Sequence, residues 1–326
     1  MLYDLDGHFL SVSQQAAIAC GRSLGFGQRD HSDRVAVEAM RAVMDQVPMR
    51  GRIVIGEGER DEAPMLYIGE EVGDASPDSP EIDIAVDPLE GTNLCAFGRP
   101  DSITIIAAAP RGGLLHAPDV YMDKIVVGPR TKGRIHIEAP VQENLDAIAK
   151  SLNRDVEDLL IVILDRPRHD ELIARVREAG ARIRLISDGD LAPGIAAALQ
   201  GTGVHAVMGI GGAPEGVLTA AAMRCLGGDI QGRLVPAKPG DEERLEKAGF
   251  RDLEKVFNLD DLAPSEDVVL CATGVTDGAL LEGVRYFGAG ARTKSIVVNS
   301  RSPRQVRFID AIHLEDGYTG PVLRIF

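Results

Sequence analysis

The sequence predicts an α/β fold in two halves of different rhythm. Short β-rich runs with short connections fill the first half, and a strict strand–helix alternation fills residues 159–226. The length of 326 residues is enough for one large core or two modest ones. Apolar residues make up 44% and charged residues 26%, which rules out disorder, collagen or a coiled coil as the main plan.

In the first half, Ser32 or Asp33 is placed to cap a helix running to about Val47, with Val35, Ala39, Val43 and Val47 on one face. Pro48 and Gly51 end it. Residues 73–80 (GDASPDSP) read as a surface loop. The β-rich runs are 52–55, 82–86, 102–108, 124–127 and 134–137, and the short later connections suggest antiparallel pairing. A helix at 142–152 closes this half, so the boundary between two subdomains, 1–155 and 156–326, is placed there.

In the second half, strand 159–164 precedes helix 170–179, strand 182–186 precedes helix 191–199, and strand 204–208 precedes helix 215–226. That order argues for a parallel sheet with covering helices. Ligands of such sheets sit beyond the carboxyl ends of the strands. The three loops there, 165–169, 187–190 and 209–215, are rich in charge or glycine.

Charge and pattern exclude several classes. With 35 Lys and Arg against 50 Asp and Glu, the net charge is −15. A polyanion such as DNA is repelled, no basic run offsets this, and no nucleic-acid partner is expected. The longest apolar runs, 103–109 and 159–164, are strand-sized and far short of the roughly 18–20 residues that cross a bilayer. Asp4 and Asp6 precede any basic residue, unlike a secretory signal. Cys20, Cys95, Cys225 and Cys271 lie far apart and read as reduced thiols of a cytoplasmic protein. The seven histidines lack zinc-site spacing. No Gly-x-Ser-x-Gly elbow or Walker-type Gly-Lys-Ser/Thr occurs.

Three groups of residues can carry chemistry. The first is a set of carboxylates at element ends: Asp33 at a helix start, Glu57 and Glu59 after one strand, Asp87 and Glu90 after another. Clustered carboxylates repel, and their ionised forms persist only with positive charge among them. Hard divalent cations such as Mg²⁺ suit an all-oxygen set. A single surface acid is the ordinary case. In Asp87-Pro-Leu-Glu-Gly-Thr92, however, Pro88 stiffens the turn, Gly91 allows close backbone approach and Thr92 adds a hydroxyl. The second group is Gly209-Ile-Gly-Gly-Ala-Pro-Glu-Gly216, a strand-to-helix turn with Pro214 in the first turn and free N–H groups suited to phosphate. Pro214 stands where a dinucleotide fingerprint needs glycine. Glu215, at the same helix start, is within reach of a metal. The third is Arg166-Pro167-Arg168 with Asp188-Gly189-Asp190. Forked guanidinium donors match phosphate, and paired aspartates accept from sugar hydroxyls. Tyr121 reads either as a phosphate donor or as an edge aromatic. His169 reads as a helix-start residue beside Arg168.

With these residues in place, the sequence resembles the class II fructose-1,6-bisphosphatases of the lithium-sensitive, metal-dependent phosphatase superfamily. The matching stretches are Asp33 with the helix after it, residues 56–69, Asp87 to Thr92, Asp165 to His169, Ser187 to Asp190 and Gly209 to Gly216, in family order. The resemblance implies alternating α and β layers of the sugar phosphatase type, with the site between two parts. It implies Asp33 and Glu57 as ligands of one divalent ion, Mn²⁺ or Mg²⁺, and Asp87, Glu90 and Glu215 as ligands of a second. It assigns the substrate to Glu90, Gly91, Thr92, Tyr121, Arg166, Pro167, Arg168, Asp188, Gly189, Asp190 and Gly212. The implied reaction is metal-assisted hydrolysis of the 1-phosphate of fructose 1,6-bisphosphate, a gluconeogenic step. Thr92, with Asp33, orients the attacking water, and the 6-phosphate docks near Arg166, Arg168 and Tyr121. Sedoheptulose 1,7-bisphosphate, alone or as a second substrate, is the nearest alternative. Inositol or nucleotide phosphates and a non-catalytic sugar-phosphate sensor are further ones. A homo-oligomer, dimer or tetramer, is expected from the family only. Two departures stand out: Arg29 and Arg166 occupy positions where the family commonly has lysine.

Overall fold

In the computed structural model, which describes residues 2–58, 65–288 and 290–315, helices α1 (Asp6–Gly21) and α2 (Arg29–Met44) come first. Strands β1 (Arg50–Ile55), β2 (Glu71–Val72) and β3 (Glu81–Glu90), helix α3 (Thr92–Ala96) and strands β4 (Ile103–Pro110) and β5 (Tyr121–Val127) follow. Then α4 (Val141–Leu152), β6 (Leu160–Leu164), α5 (Asp170–Glu178), β7 (Arg182–Ile186), α6 (Leu191–Ala197), β8 (Ala206–Gly212) and α7 (Ala213–Leu226) alternate. The rest comprises β9 (Asp229–Val235), α8 (Asp241–Lys247), α9 (Leu259–Leu262), β10 (Val269–Gly274), β11 (Arg285–Phe287), β12 (Gly290–Asn299) and β13 (Gln305–Leu314).

Strand periodicity sets the layers. Along β4, Ile103, Ile105, Ala107 and Ala109 feed one core, while Ile106 and Ala108 feed another. Alternate residues of β10 and β12 divide the same way. One face of this first sheet carries α1 and α2. The other meets α7, which touches strands of both sheets and is apolar nearly all round. In the second sheet, Met122 and Val126 of β5 face α7's core, while Ile125 and Val127 face α4 and α5. The result is an α–β–α–β–α stack of alternating layers, and continuous apolar strands suit it because both their faces are covered.

The first sheet has the order β11-β12-β10-β4-β3-β1-β2, with β13 on the far edge of β12; the second has the order β7-β6-β8-β5-β9. Several expectations are corrected. The second sheet is mixed: β6 runs parallel to β7 and β8, but β5 is antiparallel to β8 and β9. Strand β5 belongs to this sheet although it precedes the expected boundary at 155/156, and β10 to β13 return to the first sheet. The sheets therefore do not divide at that boundary. Residues 134–137 are not a strand, because side-chain amides replace a partner. The Gln231 amide bonds the Ile137 N–H (2.9 Å) and the Ile135 carbonyl (3.3 Å), and Asn144 brackets His136. Helix α2 starts at Arg29, not at Ser32 or Asp33, and ends at Met44. The Ser32 hydroxyl bonds the Gln28 carbonyl one turn back (3.1 Å), so it is spent inside the helix. Residues 73–80 form a loop as expected. All four cysteines are buried free thiols. Helix α1 and everything after residue 226 carried no assignment from the sequence.

Antiparallel entry of β5 has a functional consequence. Its first residue, Tyr121, pairs with Gly212 at the carboxyl end of β8. The start of β5 is thus delivered to the strand ends where ligands bind in α/β sheets.

Candidate active site

A regular strand would point Asp87 and Glu90, three residues apart, to opposite faces. Here the pairing of β3 with β4 slips between Asp87, opposite Ile105, and Glu90, opposite Ile103. Three steps on one strand match two on the other. Pro88 cannot donate to the ladder, and the bulge flips the parity so that both carboxyls reach one spot. The Asp87 carboxylate also accepts from the Leu89 N–H (3.0 Å). Gly91, at φ +75°, turns the chain into α3, and a Cβ there would come within 2.7 Å of Leu94.

Glu215 enters from the first turn of α7. Ligand oxygens of Asp87, Glu90 and Glu215 all lie within 4.8 Å of one another. The Glu215 Oε2 is buried and has no hydrogen-bond partner. Three crowded carboxylates with an orphaned oxygen are a donor set for a hard divalent cation, so the residues present fit the metal that the resemblance implies. Burial first, and then the neighbouring acids, push the Asp87 and Glu90 carboxyls well above their ordinary range. Burial likewise raises Glu215, with Lys124 opposing it. Glu57 is pushed up to about 8, by burial first and then by the neighbouring Asp33 carboxyl. Burial also raises Asp33. Asp33 and Glu57 line the same cavity as the triad of Asp87, Glu90 and Glu215. Glu59 lies outside the described residues, as does the rest of the segment 59–64 within 56–69.

Two adjoining cavities share Glu90, Asp119, Asp188 and Glu215. One of about 290 Å³ holds Asp33, Glu57, Asp87, Gly91, Thr92 and Asn93. The other, of about 210 Å³, holds Tyr121, Arg166, Arg168, Gly189, Asp190 and Gly212. One end of the cleft is thus acidic and the other basic and aromatic. The Arg168 guanidinium stacks 4.7 Å from the Tyr121 ring centroid and donates to the Ile210 carbonyl (2.8 Å). Thr92 Oγ1 donates to the Leu89 carbonyl (3.1 Å), so its lone pairs remain for another donor. Glu90 ties the end of β3 to the start of β4 and to helix α6. Its backbone carbonyl accepts from Ser102 (2.9 Å) and its carboxylate accepts from the Leu191 N–H (3.0 Å). Pro167 lines neither cavity; it starts the short 3-10 turn Pro167–His169 that aims the flanking arginines.

The remaining candidates have structural duties. His169 Nδ1 donates to the Leu164 carbonyl and Nε2 accepts from the Ile210 N–H, both at 2.7 Å, which fixes the neutral form. Burial lowers its pKa. The folded value lies below the unfolded one, so this contribution is complete above the usual histidine range and is lost as pH falls through the folded value. His169→Asn is expected to lower stability by about 2 kcal/mol, read by urea unfolding at neutral pH. An unchanged midpoint would refute the latch. Arg29 Nη1 donates to Asn93 Oδ1 (3.1 Å), and Asn93 Nδ2 donates to Asp188 (2.8 Å). The arginine at a usual lysine position is thus coupled to the sugar-side loop. Sequence reasoning missed Asn93, Asp119, Lys124 and Lys238. Lys124 did carry a signal, a lone cation in an apolar strand; Asp119 and Lys238 reach the cleft only through tertiary packing.

The model of the family described as bacterial fructose-1,6-bisphosphatase, glpX-encoded, matches residues 4–313. This chain belongs to that family. A D-fructose 1,6-bisphosphatase class 2/sedoheptulose 1,7-bisphosphatase from Synechococcus sp. (strain JA-3-3Ab) is 51% identical over 330 residues, covering 94% of this chain and 95% of its own. Proteins of the same name from Synechococcus elongatus and Synechocystis sp. are each 50% identical over 329 residues, with the same coverage. Among solved structures, the extragenic suppressor protein suhB from Bartonella henselae superposes with a TM-score of 0.34 at 16% identity, over 59% of this chain and 72% of that one. So loose an overlap carries no argument. Family membership makes the chain a phosphatase acting on sugar bisphosphates, and no helix among the described residues is long and apolar enough to cross a membrane.

Proposed function

We propose that the chain hydrolyses the 1-phosphate of fructose 1,6-bisphosphate to fructose 6-phosphate and phosphate, using Mg²⁺ or Mn²⁺. The observation that carries this reading is the convergence of Asp87, Glu90 and Glu215, with an unpartnered Glu215 oxygen, at one end of a cleft whose other end holds Arg166, Arg168 and Tyr121. Asp33 and Glu57 hold one cation, and Asp87, Glu90 and Glu215 hold a second. When bound, the cations supply the positive charge that lets a near-tetraanion approach five carboxylates and that stabilises the departing oxygen.

The chain's own groups do the rest. With its proton committed to Leu89, Thr92 accepts one hydrogen of the attacking water, and Asp33 on the same cavity wall accepts the other. Asp188 and Asp190 accept from the sugar hydroxyls. Gly189, Gly91 and Gly212 leave room for the ester to approach the backbone. Arg166, Arg168 and Tyr121 grip the remote phosphate, and that binding positions the reacting end. On this reading the protein works in the cytoplasm as a homo-oligomer.

The test is phosphate release from a panel of sugar phosphates, with and without Mg²⁺ or Mn²⁺. Bisphosphates should be cleaved, and monophosphates and inositol phosphates left nearly untouched. Equal rates in chelator would overturn the mechanism. Arg168→Ala should raise the KM for bisphosphate by roughly 10–100-fold, the size of one lost charged hydrogen bond, with a smaller change in kcat. A second substrate, sedoheptulose 1,7-bisphosphate, is favoured by the names of the Synechococcus relatives. The two sugars present the same 1-phosphate end, so comparing their kcat/KM values separates them.

A further inference from the structure

Lys124 is the only buried lysine or arginine among the described residues. It sits on the face of β5 that Met122 and Val126 turn to the apolar core shared with α7. Its Nζ lies 2.9 Å from Asp190 Oδ2, 3.1 Å from Asp190 Oδ1 and 3.1 Å from the Gly212 carbonyl. Three separate segments thus meet at one ammonium group: β5, the turn before α6 and the end of β8. Glycine surrounds it. Lys124 pairs with Gly209 on β8 and Gly232 on β9. A Cβ on Gly211 would fall 2.2 Å from Asp190 Oδ2 and 3.0 Å from Lys124 Nζ. Gly211 thus leaves the space this ion pair occupies.

We propose that Lys124 is a positioning residue for sugar binding: it fixes the Asp190 carboxylate and the Gly212 carbonyl against each other at the floor of the substrate cavity. Asp190 is itself buried and lines that cavity beside Gly212. Both Asp190 oxygens lie within hydrogen-bond distance of one ammonium group, so the carboxylate has a single orientation to offer the sugar. Lys124 touches no substrate. Its effect runs through Asp190, and it rests on the reading above in which Asp190 accepts from the sugar.

The test is a double-mutant cycle with Lys124→Met, Asp190→Asn and the double variant. It is read as KM and kcat for fructose 1,6-bisphosphate, as the Mn²⁺ concentration for half activation, and as affinity for fructose 6-phosphate by calorimetry. Lys124→Met should raise KM at least about tenfold and weaken fructose 6-phosphate to match, a larger factor than any shift in half activation that follows from removing a positive charge near Glu215. The double variant should resemble Asp190→Asn alone. A KM within twofold of wild type, or effects of the two single changes that multiply, would overturn the proposal, as would a loss of thermal stability with unchanged KM. If Lys124→Met does not fold, the double variant, which removes both charges of the pair, is compared with Asp190→Asn; a further tenfold loss of affinity there also overturns it. Wild type that binds fructose 6-phosphate but releases no phosphate sinks the proposed function, while the coupling is still read from binding. Wild type that binds neither sugar phosphate overturns both.

Discussion

Glu90→Gln is expected to reduce phosphate release by about 10²–10³-fold or more, the largest loss of any single substitution considered for this protein. Glu90 carries three duties at once. Its carboxylate lies in the triad with Asp87 and Glu215, it accepts from the Leu191 N–H at the start of α6, and it lines both compartments of the cleft. Glutamine keeps the length and an oxygen for Leu191, but it removes the charge and can turn an N–H₂ group toward Asp87 and Glu215. Cation binding should therefore weaken, visible as a higher Mg²⁺ or Mn²⁺ concentration for half activation. The same change should raise the thermal midpoint of the metal-free protein, because one of the mutually repelling buried acids is gone. Lost activity with gained apo stability separates a ligand from a structural residue. A variant that keeps more than a tenth of wild-type activity takes Glu90 out of the ligand set.

Stripping divalent ions should drop turnover to background and leave a fold whose stability falls as pH rises. Glu57 is pushed up to about 8, and Asp87 and Glu90 lie above their ordinary range as well. Each is an acid whose folded pKa exceeds its unfolded value, so the native state holds more protons than the unfolded chain in between. Its contribution is complete below the usual carboxylate range and is lost as pH climbs through the folded value. The metal-free melting temperature should fall by several degrees between about pH 7.5 and 9, a window above the usual histidine range, where His169 no longer adds slope. Saturating Mg²⁺ or Mn²⁺ should raise the midpoint and remove most of that slope, because a cation that binds the native state selects the ionised forms. A flat pH profile without metal, or a midpoint indifferent to added cation, contradicts the carboxylate cage.

Much of this was legible in the chain itself. Helices α4 and α5 and strands β6 and β7 emerge within a residue or two of where periodicity places them, because their apolar faces and caps are local properties. Strand β8 and helix α7 were read from the same alternation, though the strand runs on through Gly212. The carboxylate set was legible too: Pro88, Gly91 and Glu215 mark turns whose chemistry has no need of acids, and the acids gain a meaning only as ligands. What stayed hidden depended on partners far away in sequence. Residues 134–137 have strand-like composition, but Gln231 and Asn144 take the bonds that a ladder would have used. Ser32 looks like a cap until its hydroxyl is found bonded to Gln28.

The sequence by itself determined the inventory: layered α and β elements, a set of buried-type strands, and five acids and two arginines at element ends. Only the tertiary structure decided that β5 enters the second sheet antiparallel, which carries Tyr121 and Lys124 to the active end of β8. It also decided that a bulge at Pro88 turns Asp87 and Glu90 to the same side. Strand direction and register are set by long-range pairing and by which face finds cover, and no local stretch of sequence encodes either.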